Sequence, residues 1–468
     1  MTDKELYGKL TYKRKNVFDE ISPDEKRKVL DLADEYRVFL DKGKTERECV
    51  KEAVKMAEEN GFVPMESKDK LSAGDRVFCI NRDKNIVLMV IGEEPIENGF
   101  NLVGAHVDSP RLDLKQNPLY ESDGVALFKT HYYGGIKKYQ WVTIPLALHG
   151  VVFKKNGEKV EFVIGEDDND PVFTVTDLLP HLASKQAEKP AKDVITGEGL
   201  NIMVGGIGIG SNDIKERVKY NILNILSINY DITEEDFLRA EIEAVPAQKA
   251  RNVGLDSAFV GAYGQDDRVC AFTSLKSILE IENPKKTAVC LLVDKEEIGS
   301  VGNTGMKSRY FDLVVMELIE KLTGKTDILT FNRVMSKSAC LSSDVGAAFD
   351  PNYPEVMEKG NTCYQGSGLA ILKYTGSRGK SGASDASPEF LSEIYKIFDE
   401  NGVIWQTSEL GKVDEGGGGT IAMYVGNLNI DVVDCGVPVF SMHSPFEIVA
   451  KADVYMAYKA YKAFYSER

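Results

Sequence analysis

Histidine is scarce in this chain, at five of 468 residues. Long apolar runs are missing altogether. No stretch approaches the ~18 uninterrupted apolar residues of a membrane-spanning helix, so none is expected. The opening segment, "MTDKELYGKLTYKRKNVFDE", is charged throughout and lacks the apolar centre of a secretory signal. Basic stripes are wanting too. With 73 acidic against 57 basic residues and a net charge of −16, the surface repels nucleic acid and anionic membranes. The seven cysteines (Cys49, Cys79, Cys270, Cys290, Cys340, Cys363 and Cys435) are odd in number, scattered, and form no C-x-x-C. Most lie in apolar runs such as "TAVCLLV", where a thiol acts as a small hydrophobe; a reducing, cytoplasmic compartment fits. No G-x-S-x-G nucleophile elbow occurs. "GGIGIGSND" places Ser211 where a dinucleotide loop needs its last glycine, and "TGSRGKSG" follows Tyr374 where a phosphate loop needs its first.

What is present, 43% hydrophobic residues over this length, is ample for more than one packed unit. "SPDEKRKVLDLADEYRVFLDKG" opens on a cap-like Ser22-Pro23, keeps helical apolar spacing and stops at Gly43. "TERECVKEAVKMAEENGF" repeats that design to Gly61. "DRVFCINRDKNIVLMVIG" alternates as two strands about a polar turn, and strand "NLVGAH" follows. From about 116 to 244 the texture changes to tyrosines, β-branched residues and hairpins. In "ALHGVVFKKNGEKVEFVIG", Asn156-Gly157 suggests a type I′ turn. This stretch is expected to be an inserted, mainly β domain, with 1–115 and 245–468 forming one discontinuous domain. After about 245, short apolar strands ("TAVCLLVDKEE", "ACLSSDVGAAF", "VVDCGVPVFSMHS") alternate with helices. That alternation predicts an α/β/α sandwich on a mostly parallel sheet.

The scarce histidines then stand out. His106 ends strand "NLVGAH", and His443 ends "GVPVFSMHS". Asp266 heads the helical "DDRVCAFTSL", Glu296 and Glu297 follow a strand, and Asp344 ends "SACLSSD". Ligands of open α/β sheets bind at the carboxyl ends of strands, so these side chains are expected to meet there. Imidazoles with carboxylates suit borderline divalent ions, zinc foremost, and one carboxylate bridging two ions makes a hydrolytic pair. Asp108, two residues after His106, can accept the imidazole's second N–H and orient the ring. Of the adjacent Glu296 and Glu297, which must diverge, one can ligate while the other serves as general base. Taken singly, each has an ordinary explanation: a core histidine, a solvated glutamate pair, a helix cap. Five such coincidences in one chain are not credible.

"GAHVDSP", "YGQDDRVCAF", "VDKEEIGSVG", "SSDVGAAFDPNYPE" and "VFSMHSPFE", in this order, resemble the M18 metalloaminopeptidases, the aspartyl aminopeptidase and aminopeptidase I group. The similarity spans nearly the whole chain, including "YYGG" in the insert. It implies an α/β/α metallopeptidase core, an inserted dimerisation domain and removal of amino-terminal residues from peptides. It implies two zinc ions (cobalt or manganese as substitutes), one held by His106 and Asp344, the other by Glu297 and His443. Asp266 would bridge them, Glu296 would be the base and Asp108 the orienter. His181, in "FTVTDLLPHL", matches a histidine that reaches a neighbouring subunit's site in tetrahedral dodecamers built from dimers.

Two departures bear on specificity. Ala347 and Asp350 stand where eukaryotic members of the family carry histidines, close to the pocket for an acidic first residue. An added carboxylate works against acidic substrates, with Lys373 the candidate counter-charge. The residues alone also allow a two-metal carboxypeptidase, a deacylase of small amides, or a silent assembly protein. A scaffold, however, has no use for an intact base and five ligands.

Overall fold

The computed structural model describes residues 1–468. Helix Pro23–Lys42 begins where Ser22 and Glu25 accept each other's backbone amides, and stops at Gly43. Helix Glu46–Glu59 is capped in the same way by Thr45 and Glu48. Tyr36 and Phe39, on the buried face of the first, pack at a tilt against Phe272 of helix Gln265–Leu279.

A nine-stranded sheet forms the centre, in the order Val63–Pro64, Arg76–Asn81, Asn85–Val90, Thr287–Val293, Phe100–His106, Ala339–Ser342, Asp431–Gly436, Leu369–Leu372, Trp405–Thr407. Its four middle strands, Thr287–Val293 to Asp431–Gly436, are parallel. Antiparallel pairs flank them on both sides, so the sheet as a whole is mixed. Strand Phe100–His106 is buried along its whole length, as a strand covered on both faces must be. Phe100 and Leu102 point into one core, with helix Tyr310–Thr323; Val103 and Ala105 point into the other, with helices Pro23–Lys42, Gln265–Leu279 and Lys451–Glu467. This is the α/β/α sandwich, and each large aliphatic side chain so buried contributes ~1.5–3 kcal/mol. Register pairs His106 with Val293, and Gly104 with Ser342, so the strands end level with one another.

A second, antiparallel sheet of seven strands runs from Arg111 to Pro246. It has its own core of 22 buried residues, among them Trp141 and Leu148. Strand Arg111–Ser122 spans position 116, with a register shift in its pairing between Leu114 and Leu119, because the chain leaves the loop after His106 directly into the sheet. The hairpin Leu146–Phe153/Lys159–Ile164 differs from expectation at its turn. Only Gly157 has positive φ, and Asn156 does not, which excludes type I′. The connection is five residues long and closes by Gly157 donating to the Lys154 carbonyl, so it does not need the mirror-image turn. A five-stranded sheet, which includes Phe259–Ala262, Pro438–Phe440 and Glu447–Ala450, completes the fold. All seven cysteines are free, six of them buried. No helix is long and apolar enough to cross a membrane.

Gly436 shows how tightly the central strands support the chain after them. A Cβ there would overlap the backbone carbonyl of Asp344. Gly436→Ala is therefore expected to cost ~1–3 kcal/mol in urea unfolding; full stability would show that the Asp344 backbone moves freely.

Candidate metal centre

His106 is the last residue of its strand, and its ring is held from behind. Nδ1 lies 3.0 Å from the Asp108 carbonyl oxygen and 3.3 Å from Asp108 Oδ1. Nε2 therefore points forward, 3.2 Å from Asp266 Oδ1. His443 is arranged in parallel fashion: Nδ1 donates to the Gly135 carbonyl at 2.8 Å, and Nε2 lies 3.2 Å from Asp266 Oδ2 and 3.4 Å from Glu297 Oε2. The two oxygens of one carboxylate thus face two imidazoles. His443 does not end a strand of the central sheet; it sits in the turn between Pro438–Phe440 and Glu447–Ala450 of the five-stranded sheet, at φ 66°.

Asp266 and Asp267 open the helix that runs to Leu279, and the backbone there is braced by Arg268. That fully buried guanidinium donates to the carbonyls of Gly264, Tyr263 and Gly43. Glu296 and Glu297 share a short 3₁₀ turn after left-handed Lys295. Their amides donate to Asp108 Oδ1 and Oδ2, at 3.1 and 3.2 Å, so one buried carboxylate positions both glutamates while the carbonyl of the same residue holds the His106 ring. The glutamates diverge: the Glu297 side chain is 4% exposed and packs against His443, while Glu296 is 18% exposed, with Oε2 3.9 Å from His106 Nε2. Asp344 groups with His106 and Asp267, and Glu297 with His106 and Asp266, in each case with donor atoms within 4.8 Å.

Six of the eight predicted residues carrying chemistry, His106, Asp266, Glu296, Glu297, Asp344 and His443, therefore meet, with Asp108 directly behind them. His181 does not. It is exposed on the 3₁₀ turn Pro180–Leu182 of the insert, and it does not line the cavity at the centre. Three participants escaped sequence reasoning. Asp267 accepts the His106 amide, a role hidden because an acidic pair at a helix start looks like a cap. Glu447 accepts the amides of His443 and Asp266, tying two distant segments together. Tyr133, from the insert, donates to Asp108 at 2.8 Å.

Burial and crowding shift every charge here. Burial lifts Glu296 to about 7 against the opposing charge of His106, and it raises Glu297 and Asp344 well above the carboxylate range, with neighbouring carboxylates adding to the effect. Burial alone would lower His443, but its contacts with Asp266 and Glu297 push it up to about 10. Asp266 is held low despite burial, by hydrogen bonds to both histidines. Glu297 Oε1 and Asp267 Oδ1 are buried without a hydrogen-bond partner. Unpaired buried carboxylate oxygens are costly unless a cation meets them. Two forward-facing Nε2 atoms among carboxylates are the donor set of a borderline divalent ion, and zinc fits it.

The centre opens on a cavity of about 590 Å³ whose wall includes Asp266, Glu296, Asp344, Ala347 and His443. Asp350 is not part of that wall, so its carboxylate does not enter the cavity. Lys373 is not a counter-charge to substrate; its ammonium is 2.6 Å from Asp385, outside the wall. The cations facing the cavity are Arg378, Lys380 and Lys412, beside Glu409 and Asp414.

Fold and centre together define a metal-dependent hydrolase. The family described as "Aminopeptidase I zinc metalloprotease (M18)" matches residues 39–465, and the chain belongs to that family. It is 52% identical over 454 residues to a "Probable M18 family aminopeptidase 1" of Clostridium acetobutylicum, covering 96% of this chain and 97% of that one. A solved M18-family aminopeptidase from Thermotoga maritima superposes with TM-score 0.94 at 44% identity, over 98% of this chain and all of that one. Aminopeptidase I from Clostridium acetobutylicum gives 0.91 at 49% identity, over 98% of this chain and 100% of that one. The chain is thus a zinc-family metalloaminopeptidase, a hydrolase.

The raised histidine generates a prediction. At neutral pH His443, at about 10, carries a proton that must leave before Nε2 can ligate. The protonated form dominates below that value and is lost as pH rises through it. Zinc affinity of the stripped protein is therefore expected to rise between about pH 6.5 and 8.5, by up to ~10-fold per unit for each proton released. Competition titrations showing a flat profile would contradict this.

Proposed function

We propose that the chain is a co-catalytic two-metal aminopeptidase acting on peptides with a free amino terminus. The observation that carries this reading is Asp266, whose two oxygens each lie 3.2 Å from the Nε2 of a different histidine. In this reading His106 and Asp344 hold one zinc ion, Glu297 and His443 the other, and Asp266 lies between. When bound, the ions supply Lewis acidity to the scissile carbonyl and to water. Glu296 takes the proton of the attacking water and passes it to the departing amine. Its environment, which sets it at about 7, suits a group that must both accept and return a proton near neutrality. Asp108 acts from behind, keeping the His106 Nδ1–H engaged so that Nε2 stays forward.

The chain is further proposed to work as a homo-oligomer, in which dimers joined through the 116–244 insert build a tetrahedral dodecamer. Leu178, Leu179, Leu182, Ile207 and Ile228 are large apolar side chains exposed on that insert. His181 lies among the first three, away from its own centre, and would serve the neighbouring subunit by donating to the developing oxyanion.

Glu296→Gln is expected to lower kcat by ~10²–10⁴-fold while two zinc ions per chain are retained. Loss of metal from Glu296→Gln, with retention in Glu297→Gln, would reverse the two roles. Amino-terminal acetylation of a good peptide substrate should block cleavage; undiminished hydrolysis would favour the deacylase alternative.

His181→Ala is expected to be nearly inactive, the loss of one such donor being worth roughly 3 kcal/mol, yet to bind metal and assemble normally. Mixing it with Glu296→Gln under subunit exchange should restore part of the activity, because each inactive chain supplies what the other lacks. Demonstrated exchange without recovery would confine His181 to its own subunit or to no role.

A further inference from the structure

We propose that Tyr133 is a positioning residue through which the inserted domain holds the metal centre in shape, an inference that rests on the two-metal reading above. Three consecutive insert residues touch three separate parts of the centre. The Tyr133 hydroxyl donates to Asp108 Oδ2 at 2.8 Å. Gly134, at φ 73°, passes so close that a Cβ would lie 3.3 Å from Glu297 Oε2. The Gly135 carbonyl accepts from His443 Nδ1 at 2.8 Å.

Behind this contact the insert is firmly anchored. Tyr133 pairs across the strands with Arg111, whose guanidinium lies 4.0 Å from the ring centroid. Arg111 in turn is 2.8 Å from Asp113 and 3.2 Å from Glu243 of the same sheet, and 3.4 Å from Glu46 of the catalytic half. A continuous row of contacts therefore runs from the insert's sheet through Arg111 and Tyr133 to Asp108. The Asp108 carboxylate then distributes the constraint to the Glu296 and Glu297 amides and lies 3.3 Å from His106 Nδ1, whose hydrogen bond goes to the Asp108 main-chain carbonyl. Without the hydroxyl, Asp108 keeps its amide partners but loses the side-chain donor to Oδ2. Its carboxylate, and with it the spacing of His106 from Glu297, becomes free to shift. Partners of this kind behind metal ligands are typically worth ~10–100-fold in metal affinity or activity.

Tyr133→Phe is the test, because it keeps the ring, the Arg111 stack and the backbone ladder. Tyr132→Phe, at an exposed neighbour, is the control. Zinc affinity is measured by chelator competition on full-length protein, alongside kcat, KM and the melting temperature of the metal-free forms. Tyr133→Phe is expected to bind zinc at least ~10-fold more weakly, with kcat reduced, KM nearly unchanged, and a metal-free melting temperature equal to wild type. Tyr132→Phe should match wild type throughout. Wild-type zinc affinity in Tyr133→Phe overturns the inference while leaving the two-metal reading intact. So does a loss that Tyr132→Phe shares, or one matched by a fall in metal-free stability. A wild-type chain that retains no zinc overturns both.

Discussion

One carboxylate facing two imidazoles imposes the tightest constraint on this molecule. For Asp266 to lie 3.2 Å from both Nε2 atoms, the end of a central strand, the start of a helix and a turn of a separate five-stranded sheet must meet within a few ångströms. The surrounding structure supplies the ties. Glu447 accepts amides from both Asp266 and His443, Arg268 braces the chain before the helix, and Asp108 collects His106 with both glutamates. None of these contacts makes up a large apolar core. They set distances between elements whose stability comes from packing elsewhere.

That division explains the electrostatics. The two large cores on either face of the central sheet provide the free energy of folding, and the centre draws on it. Buried carboxylates raised far above their ordinary range, beside histidines held protonated, describe a set of groups in conflict with burial. A cation that displaces those protons relieves the conflict, so the same crowding that burdens the metal-free chain gives the centre its affinity. The inserted sheet contributes from outside, because its Gly134-Gly135 corner has no side chain to keep it from Glu297 and His443.

Much of this was legible in the residues. Ser22-Pro23 with Glu25, and Thr45 with Glu48, carried their helix starts openly, since caps are local chemistry. Apolar strands leading into His106, Glu296 and Asp344 announced one sheet edge because period and polarity change at the same place. What was not legible depended on distance in sequence. His443 looked like the end of a central strand, but the strand before it belongs to another sheet. Glu447 and Tyr133 work through amides and hydroxyls that no spacing rule connects to their partners, Asp266 lying 181 positions from Glu447 and Asp108 lying 25 from Tyr133. Lys373 looked available, and only the fold reveals Asp385 beside it. Asn156-Gly157 carried the sign of a two-residue turn, and the five-residue connection removed the need for it.

The central claim is that the centre takes two metal ions per chain and that Asp266 lies between them. It is tested most directly by stripping the protein and titrating it with zinc while bound metal and peptide hydrolysis are followed together. The account predicts that binding saturates at two equivalents per chain, and that full activity is reached only with the second. Saturation of both binding and activity at a single equivalent would contradict it.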